Sequence, residues 1–218
     1  MQMASNRRQP GKRQDRNSKV GQRDPKLGYY LVVTDADGTE QNYFNGMRSS
    51  FSLELQKYLV IRVEKAKTTE QLINKTIELM VNLPQYSRPW IVFDRDEVVR
   101  FDEMIESARK LGIEVGWSNP CFEIWFHAYF GSVPMFQDSQ SCWKSFAKKI
   151  EKVTGQKYDK NDKDIFKKLA ECGDIKVAIA TADRQLQKCE QNGEKPSQSN
   201  SATTVYKLVS EIVKKVSK

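Results

Sequence analysis

The sequence predicts an α/β protein, a mostly parallel sheet flanked by helices and followed by a helical C-terminal part. Three observations carry this expectation. Short, continuous apolar runs ending in Asp, Gly, Ser or Thr alternate with segments of helical apolar spacing up to Pro120. Runs that are apolar at successive positions suit strands buried on both faces, as in a parallel sheet. After Pro120 the spacing is helical almost throughout.

In order, the first strand is Tyr29 to Val33 in "LGYYLVVTDADGTE", and Thr39-Glu40 opens a helix that runs to about Arg48. "KYLVIRV", Lys57 to Val63, is the second strand. Thr68 to Leu83 places Leu72, Ile73, Ile77, Met80 and Val81 at helical spacing. The third strand lies in "RPWIVFDRDEVVRF", and a helix from Val98 to Leu111 follows, stopped by Gly112. "IEVGWS" is the fourth strand. Helices then cover "CFEIWFHAYF" and residues 139–153, 162–171, 174–190 and 202–216, with a polar break from Gly193 to Ser201. Asn119 is placed to cap the first of these, with Pro120 at its first position. Phe122, Trp125, Phe126 and Phe130 recur at core spacing.

Three segments follow from this reading: a basic tail over 1–27, an α/β core over 28–130, and a helical extension packed on that core over 131–218. A chain of 218 residues suffices for one sizeable hydrophobic core. The formal charge is +8, but residues 1–27 hold eight cations and two anions, a net +6, which leaves only +2 for the rest. That tail is too polar to bury a core, so the sequence predicts disorder there and contact with nucleic acid phosphates or an acidic partner surface. No apolar stretch approaches a membrane span or a signal peptide core, so a soluble cytoplasmic protein is expected. Cys121, Cys142, Cys172 and Cys189 show no metal-binding spacing and are expected as reduced thiols. His127 is the single histidine and sits in an apolar helix, which points to a structural role and leaves little room for histidine catalysis.

Strands of a parallel sheet deliver their following residues to one edge, where ligands bind. Asp35, Asp94 and Ser118 should therefore meet. Asp94 and Asp96 share a side-chain direction if the third strand continues through them. Two carboxylates so placed, joined by Asp35 with Asp37 and Glu40 behind it, can offer oxygens to one Mg²⁺ for phosphoryl transfer. The same residues also suit the first turn of a helix, where acidic side chains complement the dipole. Glu123 has the same two readings.

Five stretches carry a more specific signal. "VVTDADGTEQNYF", "IVFDRDE", "WSNPCFEIWFHAYF", "YDKNDKDIF" and "NSATTVYKLV" stand in the order and near the spacing of the RloB-like family, which the chain resembles over about residues 28–212. The resemblance implies a Toprim-type catalytic domain related to the AbiL abortive-infection system. It implies a metal-dependent nuclease cleaving phosphodiester bonds in DNA or RNA, with transfer RNA among the candidate substrates, as effector of an antiphage system controlled by an AAA- or ABC-type ATPase partner. Carried over by position, Asp35, Asp94 and Asp96 are ligands of Mg²⁺ or Mn²⁺, and Glu40 and Glu123 are supporting site carboxylates. Lys160 and Lys163 become contacts to a substrate phosphate, and Thr203 and Thr204 match the last motif, where helix capping is the plain alternative. One departure stands out: the family usually has Glu-Gly at the first strand end, and here Asp35-Ala36 offers a carboxylate shorter by one methylene.

Two rival readings remain open. "DRDEV" also fits the DxDx[TV] string of haloacid-dehalogenase-type phosphatases, with Asp94 as nucleophile and Asp96 as acid, although no later strand ends in paired aspartates. A non-catalytic regulatory or binding subunit of an ATPase complex would keep the fold without the chemistry.

Overall fold

The computed structural model describes residues 30–34, 38–64, 66, 68–84, 88–96 and 98–216. The expectations for the basic tail lie outside these residues. Strand β1 (Tyr30–Thr34) pairs in parallel with β2 (Leu59–Val63) on one side and with β3 (Arg88–Asp94) on the other. β3 pairs in parallel with β4 (Glu114–Asn119), and a two-residue strand, β5 (Ala202–Thr203), runs antiparallel to the end of β4. The order is β2-β1-β3-β4-β5, the mostly parallel sheet that the apolar runs predict. All five residues of β1 are buried, so both faces at the sheet centre are covered.

The strands are joined by α1 (Thr39–Ser49), α2 (Leu53–Gln56), α3 (Thr69–Asn82) and α4 (Phe101–Lys110). Beyond β4 come α5 (Glu123–Ala128), α6 (Ser139–Thr154), α7 (Ile165–Cys172), α8 (Ile175–Gln191) and, after β5, α9 (Val205–Val216). Local chemistry fixes several ends. The Thr68 hydroxyl accepts from the Gln71 N–H to start α3, and Asp138 accepts from the Ser141 N–H at 2.7 Å to start α6. Gly155, at φ 71°, closes α6 in a conformation that glycine adopts without strain.

Three boundaries differ from expectation for physical reasons. α4 begins at Phe101 because the chain bends at Arg95 and Asp96 and turns again at Val99 and Arg100. α5 begins at Glu123, not at Pro120. Asn119 instead ends β4, and its Nδ2 donates to the carbonyls of Pro196 and Ser197, at 3.0 and 3.2 Å, so it ties down the polar break before β5.

The core is rich in aromatic rings. Tyr43 lies among Phe44, Phe122, Trp125, Phe126, Tyr129 and Phe166, with ring centroids 5.3–6.4 Å away. Its hydroxyl pairs with that of Tyr129 at 2.7 Å. Phe122, Trp125 and Phe126 are buried as expected, and Phe130 packs partly buried against them. The C-terminal elements share this core: Leu208, Val209 and Ile212 of α9 join the cluster that holds β1, β3 and β4. At the opposite end of the sheet from the carboxyl edge, Glu211 accepts from the Tyr30 hydroxyl at 2.8 Å and pairs with Arg88 and Lys215.

Candidate functional site

The site is built where β1, β3 and β4 end. Asp94 is the last residue of β3 and stands in register with Ser118 of β4, so the sheet itself fixes the carboxylate's height. Glu40 enters from the first turn of α1 and Glu123 from the first residue of α5. Asp96 lies two residues past the strand, in a turn. Glu40, Glu123 and Asp96 are close enough to act on the charge of Asp94. Asp35, and Asp37 behind it, lie outside the described residues.

Asp94 carries most of the electrostatic tension. Burial first, and then the neighbouring charges of Glu40, Glu123 and Asp96, push its pKa well above the usual carboxylate range. The Phe122 N–H opposes this by donating to Asp94 Oδ2 at 3.0 Å. Oδ1 has no contact with solvent and no hydrogen-bond partner among the described residues. An orphaned carboxylate oxygen in this setting is rare in a folded protein and marks a place for a ligand. β3 stops at Asp94, so the strand alternation expected to align Asp96 with it does not extend that far. Asp96 is exposed, and the Ser139 hydroxyl at the start of α6 donates to its Oδ2.

Glu123 is almost fully buried and is held by the hydroxyl of Tyr158, which donates to Oε1 at 2.8 Å. Burial, and the charge it faces on Glu123, raise the Tyr158 pKa far beyond the physiological range, so it remains a donor. Tyr158 belongs to the loop between α6 and α7. The same loop carries Lys160, whose carbonyl oxygen accepts from the Thr39 hydroxyl at 3.4 Å. Burial works to lower the Lys160 pKa, but Glu123, Asp94 and Glu40 more than offset it and hold the ammonium above its ordinary value. Lys160 is thus the cation facing the acidic cluster. Lys163, three residues on, lines a groove between α1 and α7 instead. Tyr158 and Thr39 are the site residues that pattern reading missed. Both lie inside the quoted motifs, but nothing in their spacing distinguishes a tyrosine that bonds a carboxylate from one that packs.

Thr203 and Thr204 support the site from behind. Thr204 Oγ1 accepts from the Trp117 N–H and donates to the Val115 carbonyl, both at 2.9 Å. Thr203 Oγ1 donates to the Trp117 carbonyl at 3.0 Å, so the Ser118 hydroxyl must be the donor in their 3.0 Å contact. Thr203 also accepts from the Val205 N–H, which is the capping role. His127 is buried in α5 between Phe136 and Phe146, with Nε2 3.3 Å from the Cys142 carbonyl, and touches none of the carboxylates. The four cysteines are free.

The donor set suits a hard divalent cation: carboxylate oxygens, one of them buried and unpartnered, under mutual repulsion that a cation would relieve. Among the described residues, no three acidic, histidine or cysteine side chains stand close enough together to hold such an ion. Asp94 and Asp96 are thus the described members of the expected ligand set. No helix among the described residues is long and apolar enough to cross a membrane.

Fold and site together define an α/β protein with an acidic cluster at the carboxyl edge of a mostly parallel sheet. The chain belongs to the RloB-like protein family, which it matches over residues 30–212. No curated protein and no solved structure matches it.

Proposed function

We propose that the protein is a metal-dependent nuclease of the Toprim type, the effector of an antiphage defence system restrained by an AAA- or ABC-type ATPase. The observation that carries this reading is Asp94 at the sheet edge, its Oδ1 buried and without a partner among the described residues, within reach of the charges of Glu40, Glu123 and Asp96. Asp94 and Asp96, with Asp35 by position, are the residues that would hold Mg²⁺ or Mn²⁺. When bound, the ion supplies a Lewis acid that makes water nucleophilic near neutral pH and neutralises charge on the leaving oxygen.

The chain's own residues do the rest. The Phe122 N–H fixes Asp94 Oδ2 and leaves Oδ1 for ligation. Tyr158 holds Glu123 in place, and Lys160 brings a positive charge to the non-bridging oxygens of the scissile phosphate. Water oxygen bonds to phosphorus as the bond to the leaving oxygen breaks, and that oxygen takes up a proton. Glu40 and Glu123 stand close enough to the cluster to orient the attacking water. The haloacid-dehalogenase reading is less well supported, because no later strand among the described residues ends in paired aspartates.

Family membership supports the defence setting, because RloB-like proteins resemble companions of ATPases in phage defence. The test is a gel assay of wild-type and Asp96→Ala protein on plasmid DNA and total transfer RNA, with Mg²⁺, Mn²⁺ or chelator. Metal-dependent cleavage by the wild type alone supports the nuclease. Release of phosphate from a phosphomonoester without strand cleavage would replace it with the phosphatase. Inactivity even with the ATPase present would leave a binding subunit.

A further inference from the structure

A groove of about 800 Å³ runs between α1 and α7. On α1 it is lined by Asn42, Asn45, Gly46 and Ser49, the i, i+3, i+4, i+7 stripe of one helix face, with Gln41 beside them. Lys163 and Lys167 line the opposite wall. The two helices close the floor at Gly46, where even a methyl group would sit 2.6 Å from Cβ of Phe166. The groove therefore exists because glycine lets α7 approach α1.

Its contents are unusual. Gln41, Asn42 and Asn45 are each partly buried, yet among the described residues none of their side-chain amides has a hydrogen-bond partner. Their donors and acceptors are therefore open to water or to a ligand in the groove. Lys163 likewise makes no ion pair among the described residues, and Lys167 makes only an exposed one with Glu171 at 3.9 Å. Asp164 is the single acidic side chain lining the groove. Amides that can both donate and accept, facing cations across a cleft, form the donor and acceptor set that reads base edges while holding a phosphate backbone.

The groove and the acidic cluster draw on the same two segments, α1 and the α6–α7 loop. Gln41 follows Glu40 directly, and Lys163 lies three residues beyond Lys160, on the loop that the Thr39 hydroxyl ties to α1. A volume of this size lies in the range, roughly 300–1,000 Å³, that holds a small ligand, about one or two nucleotides.

We infer that the α1–α7 groove binds the single-stranded nucleic acid flanking the scissile phosphate, with Gln41, Asn42 and Asn45 contacting bases and Lys163 and Lys167 contacting phosphates. The inference rests on the nuclease reading for the position of the scissile bond, but the groove's binding can be measured without cleavage. It makes the substrate a loop, tail or displaced strand, and gives the enzyme a base preference set by the amides.

The test uses the full chain in chelator, with fluorescence anisotropy on labelled twelve-nucleotide oligomers: single-stranded RNA, single-stranded DNA and a blunt duplex of the same sequence. Wild type should bind a single strand in preference to the duplex, and the RNA and DNA arms report which sugar is preferred. Asn42→Ala/Asn45→Ala should weaken binding roughly tenfold or more and flatten the difference between homopolymers, with the salt dependence unchanged. Lys163→Gln/Lys167→Gln should weaken all sequences alike and reduce the slope of log K against log salt by roughly 0.7 per lysine. Groove variants that bind like wild type, tighter binding of the duplex, or no binding of any probe would each overturn the inference. Groove-dependent binding without cleavage in Mg²⁺ would remove the nuclease reading and leave the groove standing. Cleavage by wild type and groove variants alike would do the reverse.

Discussion

The hydroxyl of Tyr158 donates to Oε1 of Glu123 at 2.8 Å, joining the α6–α7 loop to the first residue of α5. The bond does two things at once. It gives a buried carboxylate a partner, and it holds the loop that carries Lys160 over the acidic cluster.

Tyr158→Phe should therefore separate stability from activity. Losing one hydrogen bond to a buried charged group is expected to cost about 1.5–3 kcal/mol. For a chain of this size that lowers Tm by roughly 2–4 °C per kcal/mol, measurable by calorimetry. Cleavage should fall by at least about tenfold at a temperature where the variant is fully folded. Full activity would show that the loop's position is not set by this bond.

Asp94→Asn should stabilise the metal-free protein while abolishing cleavage. The raised pKa means that folded Asp94 keeps its proton to higher pH than the ordinary 3.8, so its contribution to stability is present at low pH and lost as pH rises through the folded value. The amide removes that loss and the repulsion from Glu40, Glu123 and Asp96. In chelator near neutral pH the variant should gain about 1 kcal/mol, or roughly 2–4 °C in Tm. Mg²⁺ should raise the wild-type Tm and leave that of the variant unchanged, which thermal melts with and without the ion would measure.

His127 should give the protein an acid-side stability slope unrelated to the site. Burial, together with the charge of Lys149, lowers its pKa from the ordinary 6.5 to about 4, despite the opposing bond to the Cys142 carbonyl. Nε2 must carry the proton to bond that carbonyl, so a second proton would go to Nδ1, which is buried without a partner. Between pH 6.5 and 4 the unfolded chain binds this proton and the folded chain does not, so stability declines over that window by about 3 kcal/mol and levels off below it. Urea melts across that range should show the slope in wild type and lose it in His127→Phe.

Gly46→Ala should cost about 1–3 kcal/mol, because the added methyl meets the backbone-proximal Cβ of Phe166 rather than the tip of a flexible side chain. Denaturant midpoints of the two proteins would measure it.

Much of this architecture is legible in the sequence. The apolar residues Tyr30–Val33 and Pro89–Phe93 are buried at every position, so burial on both faces left an uninterrupted run that marks each strand and its polar end. Because parallel strands end at one edge, the placement of Asp94 beside Ser118 follows from the alternation alone. Less visible are features made by distant pairing. β5 has two residues, too few for any period, and is recognisable only through the bonds of Thr203 and Thr204 to β4. Tyr158 and Glu123 are far apart in the chain, and their contact depends on how α6 returns across the sheet edge. The groove amides on α1 look in sequence like an ordinary solvated helix face, and only the approach of α7 at Gly46 encloses them.

The late position of β5 also sets a schedule. Thr203 and Thr204 supply the hydroxyls that staple the backbone of β4 at Val115 and Trp117, next to the strand end that leads to Glu123, and α9 then completes the core against β1. During synthesis from the N-terminus, earlier strands can form before these groups leave the ribosome, but the edge that carries the carboxylates is left unstapled. A nascent or prematurely ended chain would thus carry every carboxylate of the cluster and no assembled centre.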